Sequence, residues 1–204
     1  MVERSYRALL WTLAVVGLVL DLGSKYAVFA VMYNHGRGSE VAIIPGAFDL
    51  LTQFTGAQET GAGTLATLRT LGGDSLPRVN HGALFGMASE HVHLANGVFA
   101  AISFLAAAGI ILWSLHPSLT NDWFLCTALG LILGGTLGNL YDRIVFGGVR
   151  DFLHWHYAFE WPVFNIADCC LVVGAFLLLA QALFQKPAAP VEAPVESAEA
   201  QTVA

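Results

Sequence analysis

The sequence predicts an all-α integral membrane protein: four transmembrane helices, with a small extracytoplasmic β-strand region between helices 1 and 2. Three observations carry that expectation. The 204 residues are 56% hydrophobic and only 12% charged, whereas a soluble domain carries about 25% charged residues. Four mainly apolar segments, residues 6–31, 93–115, 123–146 and 163–184, reach the roughly 20 residues that a bilayer crossing needs. The connection between the first two is too long for a bare turn, and within it residues 47–54 (A-F-D-L-L-T-Q-F) partly alternate, as a strand lying near the membrane surface would. Residues 78–87 are expected to continue that small sheet.

The first segment begins like a signal peptide, with Arg4 and Arg7 before an apolar stretch from Ala8 to Leu20. Its apolar character continues through Phe29, however, and no small-x-small cleavage site follows, so an uncleaved helix is expected. The second segment carries no charge between Leu94 and Leu115. A short turn over residues 116–121, containing Pro117, leads to the third. There Gly130, Gly134 and Gly138 recur every four residues with Gly135 beside them, a small-xxx-small pattern that lets another helix approach closely. Its use would be to hold the residues at the helix end in a fixed place. Between the third and fourth segments His154, Trp155, His156, Tyr157, Phe159 and Trp161 supply amphipathic rings, which favour the headgroup level.

Residues 1–186 therefore read as one four-helix membrane domain. Residues 55–77, rich in Gly and Thr, read as a flexible insertion that gates access. Residues 187–204, rich in Pro, Ala and Glu, read as a disordered tail. Four spans put both termini on one side of the membrane. Arg4, Arg7 and Lys186 flank one face while Arg37, Arg69 and Arg78 lie beyond the other, with Arg143 and Arg150 near the exit of the third helix, so charge counting alone leaves the orientation open. A net charge of −6 with scattered Lys and Arg argues against a nucleic-acid partner. Cys126, Cys169 and Cys170 lie in apolar runs, an odd number without a disulfide framework.

Ionisable residues inside a bilayer cost about +2.5–3.5 kcal/mol each even on lenient scales, so they are functional candidates by default. Asp21 and Lys25 are four apart on one helical face. Mutual neutralisation accounts for them without catalysis, and positioning of a substrate or loop is the alternative. Asn80-His81-Gly82 suits a tight turn that offers hydrogen bonds to an extended peptide, or simply a turn. Asn139, Asp142 and Arg143 crowd the end of the third helix, and Gly147-Gly148 then lets the chain carry Asp151 back toward it. An interfacial cap with salt bridges is the plain alternative. Asp168 opens the last helix, where the helix dipole favours an anion and Asn165 is a candidate cap.

Asp151 follows helix 3 and Asp168 begins helix 4, so both reach the same membrane face. Two close carboxylates do not readily both ionise, which supplies an acid and a base at one pH. The base activates water against a peptide carbonyl and the acid protonates the developing oxyanion. That chemistry needs no metal or other cofactor. The His91/His93 and His154/His156 pairs invite a metal reading but lack an H-E-x-x-H partner set. A thiol nucleophile at Cys169 or Cys170 has nothing visible to lower its pKa. The main rival is a small transporter or ion or proton relay using the intramembrane carboxylates. A relay spreads such groups across the depth, whereas here Asp142, Arg143, Asp151 and Asp168 concentrate at one face and only the Asp21–Lys25 pair lies deeper. A non-catalytic scaffold would need no such pair.

Five motifs in order now identify a resemblance: Asp21-x-x-Ser24-Lys25, Asn80-x-Gly82-Ala83-x-Phe85, Gly138-Asn139-x-x-Asp142-Arg143, Val149-x-Asp151-Phe152 and Phe164-Asn165-x-Ala167-Asp168. The pattern resembles that of the lipoprotein signal peptidases (signal peptidase II). The resemblance implies a multi-pass enzyme of the bacterial inner membrane with cytoplasmic termini and its site near the extracytoplasmic face. It implies cleavage of diacylglyceryl-modified prolipoproteins just before the lipidated cysteine, by a protein that suffices as a monomer among membrane lipids. Asp151 and Asp168 would be the catalytic pair. Asn139, Arg143 and Asn165 would line the site, with Asp142 as the structural acid beside them and Asp21, Lys25, Asn80 and Gly82 in support. Leu84 stands where the family usually has a small residue, Cys169 where it often has Ser, and the insertion and tail exceed the usual length.

Overall fold

The computed structural model describes residues 5–55, 65–69, 75–82, 92–116 and 120–184. Its helices are α1 (Arg7–Val31), the single-turn α2 (Ala66–Arg69), α3 (Val92–Ser114), α4 (Trp123–Val145) and α5 (Ile166–Phe184); its strands are β1 (Ser39–Ile44), β2 (Phe48–Thr52) and β3 (Leu153–Trp155). Helices α1, α3, α4 and α5 are each long and apolar enough to cross a membrane. Helix α4 is the hub, packed against α1, α3 and α5; over an apolar 18-residue stretch of each, 56% of α4 is buried, against 6% of α3. The outward faces of α3 and α5 present Phe104, Leu105, Leu112, Val172 and Phe176. Helices satisfy their own backbone, so such faces are suited to lipid.

The glycine stripe of α4 shows why α1 is its nearest partner. A Cβ built at Gly130 would lie 2.7 Å from the Leu10 carbonyl, one at Gly134 2.8 Å from the Ala14 carbonyl, and one at Gly138 2.3 Å from Asp21 Oδ2. Gly135 turns the other way, and its Cβ would meet the Ala167 carbonyl of α5 at 2.5 Å. The stripe thus brings Asp21 of α1 and the start of α5 against the last turns of α4. At the opposite end Asp122 caps α4, accepting from the Phe124 and Leu125 amides at 2.8 and 3.1 Å, and Gln181 of α5 bonds to its second oxygen.

The strand expected over 47–54 forms as β2. The sheet around it differs from expectation. It is antiparallel in the order β1-β2-β3, and its third strand comes from the ring-rich segment after α4, which the sequence suggested only as an interfacial loop. Residues 78–87 do not add a strand within the described part. Asn80 instead makes one antiparallel bridge to Val149, and Pro77 one to Phe54; residues 83–91 lie outside the described residues. Long-range pairing decides this: β3 has Leu153 and Trp155 opposite Leu50 and Phe48, with Leu153 and Phe152 packed on Phe29 of α1. That same strand explains why α5 starts at Ile166 instead of 163. Phe164 is extended, bridged to Leu153 by hydrogen bonds of 2.8 and 2.9 Å.

Of the insertion, residues 56–64 and 70–74 lie outside the described residues. Its ends are drawn together by Thr55 N–H donating to the Leu76 carbonyl at 2.9 Å. Helix α2 within it docks on the bundle: Tyr26 Oη donates to the Leu68 carbonyl at 3.0 Å, and Arg69 Nε donates to the Val145 carbonyl at the end of α4.

Replacing Gly138 by Ala should destabilise the fold by about 1–3 kcal/mol, because the added methyl meets a buried carboxylate that is not free to move. Gly23→Ala, whose Cβ meets nothing within 4 Å, should be neutral or stabilising by about 0.5–1 kcal/mol through helix propensity. Thermal unfolding of both variants in one detergent compares them.

Candidate active site

The chain leaves α4 through Gly147, whose φ of +76° is left-handed, and Gly148, where a Cβ would press on Val79 at 2.7 Å. Val149 then pairs with Asn80 in both directions, N–H to carbonyl, at 2.7 and 2.8 Å. This turn delivers Asp151 beside the Asn80 amide, which donates to Asp151 Oδ2 at 3.0 Å. Asn80 is itself held, its Oδ1 accepting from Gly82 N–H at 2.9 Å. Gly82 has φ +87°, and a Cβ there would sit 2.4 Å from the Phe99 ring. Of the motif after Asn80, residues Ala83 to Phe85, including Leu84, lie outside the described residues.

Asp168 is fixed from the other side. Asn165 caps α5: its Oδ1 accepts from Asp168 N–H at 3.0 Å, while Asp168 Oδ2 accepts from Asn165 N–H at 3.1 Å. This reciprocal pair is a capping box. Capping uses only one oxygen of Asp168. Its Oδ1 accepts from Asn139 Nδ2 at 2.8 Å. The fully buried Asn165 amide donates both to Asp151 Oδ1 at 2.6 Å and to Asn139 Oδ1 at 3.2 Å. Asp151, Asn165, Asn139 and Asp168 therefore form one hydrogen-bonded circuit, with three asparagines donating to the two carboxylates.

Beneath the circuit lies a chain of buried charges. Lys25 Nζ donates to Asp21 Oδ2 at 2.7 Å and to Asn139 Oδ1 at 3.1 Å, and approaches Asp142 Oδ2 at 3.4 Å. Asp21 Oδ1 accepts from Ala167 N–H at 2.9 Å, which satisfies the first turn of α5. Asp142 pairs with Arg150, Nη2 to Oδ1 at 2.7 Å. All four side chains are 0% exposed. The Asp21–Lys25 pair is thus contiguous with the rest of the site, not a deeper outlier.

Arg143 turns away from its neighbour Asp142 but stays within reach of the charges of Asp151 and Asp168. It faces α3, with its guanidinium 4.9 Å from the Phe99 ring centroid and Nη1 3.4 Å from Asn96 Oδ1; Asn96 Nδ2 donates back to the Arg143 carbonyl at 3.2 Å. On a helix, successive residues point about 100° apart, so Asp142 faces inward while Arg143 reaches toward α3. Two contributors escaped the sequence. Asn96 is an amide in the early turns of an otherwise apolar span, which was the available signal. Arg150 stood out only as a flanking charge, although a base beside an acid in an apolar setting could have been matched to Asp142.

Burial holds the Asp151 carboxyl well above the ordinary carboxylate range, at about 6; the nearby charge of Asp168 adds to this, while hydrogen bonds from Asn80 and Asn165 and the charge of Lys25 oppose it. His156 pairs with Asp49 at 2.7 Å and stacks near His154 with centroids 5.2 Å apart, on the sheet. Among the described residues, no three His, Cys, Asp or Glu side chains converge as a metal site; His91 lies outside them. The three cysteines are free, and Cys169 packs against the cluster of Phe29, Phe152 and Leu153.

The comparisons agree with this architecture. A family model described as Signal peptidase (SPase) II matches residues 76–184, which include every motif except that of α1. A lipoprotein signal peptidase of Rhodopirellula baltica is 37% identical over 187 residues, covering 85% of this chain and 71% of the relative. Another from Nitratidesulfovibrio vulgaris is 34% identical over 189 residues, covering 92% and 95%. Two solved structures described as bacterial membrane enzymes share the fold. One has a TM-score of 0.64 at 22% identity, covering 90% of this chain and 92% of its own. The second has a TM-score of 0.66 at 21% identity, covering 91% and 99%. With the full set of spans, the sheet and these relatives in agreement, the chain belongs to the signal peptidase II family of lipoprotein signal peptidases.

Proposed function

We propose that this multi-pass membrane signal peptidase, which removes signal peptides from prolipoproteins, works as an aspartyl endopeptidase with Asp151 and Asp168 as its catalytic pair. The observation that supports this most is the asparagine circuit, which holds two carboxylates from different segments in one hydrogen-bonded set and treats them unequally. Each carboxyl accepts a hydrogen bond at both oxygens, but only Asp168 does so as a helix cap, where the dipole of α5 favours the ionised form. Asp151 is the carboxyl that burial raises to about 6, which suits the protonated form.

In this scheme Asp168 takes a proton from water as the water attacks the scissile carbonyl carbon, and Asp151 gives its proton to the carbonyl oxygen. On collapse of the tetrahedral species, Asp151 recovers a proton from the hydroxyl and Asp168 passes its own to the leaving amine. The pair returns to its starting state. Asn139, Asn165 and Asn80 orient the carboxyls, and Arg143, tethered by Asn96, offers a charge at the rim toward α3. The substrate would be a diacylglyceryl-modified prolipoprotein cut just before its lipidated cysteine. Its acyl chains would lie on the apolar helix faces, and the protein would act as a monomer. The end of the bundle that holds the sheet and the pair would face out of the cell, and both termini the cytoplasm, in a bacterial inner membrane. The concentration of Asp21, Lys25, Asp142 and Asp168 toward that one end supports hydrolysis over an ion relay, which spreads its groups across the depth.

Purified protein in detergent should cleave a diacylglyceryl-modified prolipoprotein whether or not a chelator is present. Asp151→Asn and Asp168→Asn should each lose on the order of a thousandfold or more in rate, since each removes an acid–base group. Chelator-sensitive cleavage, or a variant with the parent's rate, would count against the scheme. Asp151→Asn should unfold no more readily than the parent at pH 8, because it removes a carboxyl whose ionisation burial disfavours; its lost activity then cannot be ascribed to misfolding.

The pH profile gives a second check. The active form carries the Asp151 proton, present below about 6 and lost as pH rises through that value, so kcat/KM should fall on the alkaline side with an apparent pKa near there. Asn80→Ala removes a hydrogen bond that favours the ionised form. Its alkaline limb should therefore move to higher pH, and a shift to lower pH would contradict the assignment.

A further inference from the structure

We infer that Arg150 is a positioning residue for the hydrolysis, acting through Asp142 to fix the segment that carries Asp151 against the segment that carries Asp168. This rests on the reading of Asp151 and Asp168 as the catalytic pair. The family pattern Val149-x-Asp151 leaves this position open, and this chain fills it with a side chain that is completely buried.

Asp142 grips both ends of Arg150. The Arg150 backbone N–H donates to Oδ2 at 2.9 Å, Nη2 donates to Oδ1 at 2.7 Å, and Nε reaches both oxygens at 3.2 Å. The guanidinium lies over the rings of Tyr26 and Phe146, 4.3 and 3.9 Å from their centroids. Cation–π attraction is strongest in such a desolvated slot. The planar fork matches a carboxylate in a way that an ammonium does not. With backbone and side chain both bound, the residue immediately before Asp151 has little freedom left.

The other end of the chain lies immediately before Asp168. From Arg150 the contacts run to Asp142, then Lys25 at 3.4 Å, then Asp21 at 2.7 Å, then the Ala167 N–H at 2.9 Å. Formal charges alternate and cancel along these four side chains, so no buried charge is left unpaired. Lys25 also holds Asn139, which donates to Asp168. One continuous chain therefore links the residue before each carboxyl. Without Arg150, Asp142 keeps only the longer Lys25 contact and the backbone bond, and the Asp151 segment loses its side-chain anchor.

The test uses the full chain in detergent with diacylglyceryl-modified prolipoprotein, comparing Arg150→Met, Arg150→Lys, Asp142→Asn and the Arg150→Met/Asp142→Asn double variant. Arg150→Met should lower kcat about ten- to a hundredfold with KM changed by no more than about twofold, the signature of a displaced catalytic group. Arg150→Lys should restore only a small part. The double variant restores charge balance, and its kcat should be no lower than that of the worse single variant, because the two residues act as one unit. A folded Arg150→Met enzyme with the parent's kcat overturns the inference, as do a loss confined to KM and losses that multiply in the double variant. If Arg150→Met does not fold, the double variant decides: the parent's kcat there overturns the inference, and a kcat matching Asp142→Asn upholds it. Asp151→Asn run alongside separates the two ideas. Cleavage surviving in Asp151→Asn removes the catalytic pair itself, whereas a dead Asp151→Asn beside a fully active Arg150→Met removes only the role of Arg150.

Discussion

Lys25 lies between two carboxylates, 2.7 Å from Asp21 and 3.4 Å from Asp142, with none of the three exposed. The arrangement at the site end of the bundle depends on that placement. Buried ion pairs are weak sources of stability, because desolvation offsets much of the attraction, but removing one partner is costly. Their value here is selective. With Arg150 added, every charge in the chain has a partner only when α1, α4 and the loop after α4 are in place at once, and the start of α5 adds an N–H donor to Asp21. A register shift of any of them strands a charge in an apolar setting.

Such a chain can form only if helices approach closely, and that is decided by absent side chains. Gly138 leaves room for Asp21 Oδ2, and Gly135 lets the Ala167 carbonyl come against α4. The small-residue stripe is therefore more than a packing convenience. It brings the carboxyl of α1 near enough to cap α5 and to hold Lys25 against α4. Packing of apolar surface between helices gains little in lipid, where both alternatives are apolar; close backbone approach and polar contacts carry more of the association.

Above the ion chain, neutral amides do the fine work. Asn80, Asn139 and Asn165 each donate to a carboxyl oxygen. An amide donor favours the ionised form without forcing it, as a salt bridge would. Lys25, whose charge reaches Asp151, is engaged by Asp21, and Arg150 by Asp142. Asp151 is left to respond mainly to burial, and it stays raised at about 6. Separating the fixed charges from the titrating carboxyl allows one fold to be rigid and still hold a proton at Asp151, as the proposed mechanism requires.

How much of this was legible beforehand varies with the range of the interaction. The spans follow from runs of apolar residues, because a bilayer demands length and hydrophobicity before anything else. The stripe Gly130, Gly134, Gly138 follows from helical periodicity, the cap at Asn165 from local chemistry, and the choice of Asp151 and Asp168 from the cost of carboxylates near an apolar phase together with the ordered motifs. What the sequence could not decide are the pairings between distant segments. Strand β3, the docking of α2 on Tyr26 and Val145, the turn of Arg143 toward Asn96, and the grip of Asp142 on Arg150 and Lys25 instead of its neighbour Arg143 all join residues far apart in the chain or on different helix faces. Local propensity is silent on such contacts. The composition and periodicity of this chain determined which segments cross the membrane and which polar residues needed partners, while only the packed bundle decided who the partners were, since that depends on which faces the helices turn toward one another and how closely the glycines let them come.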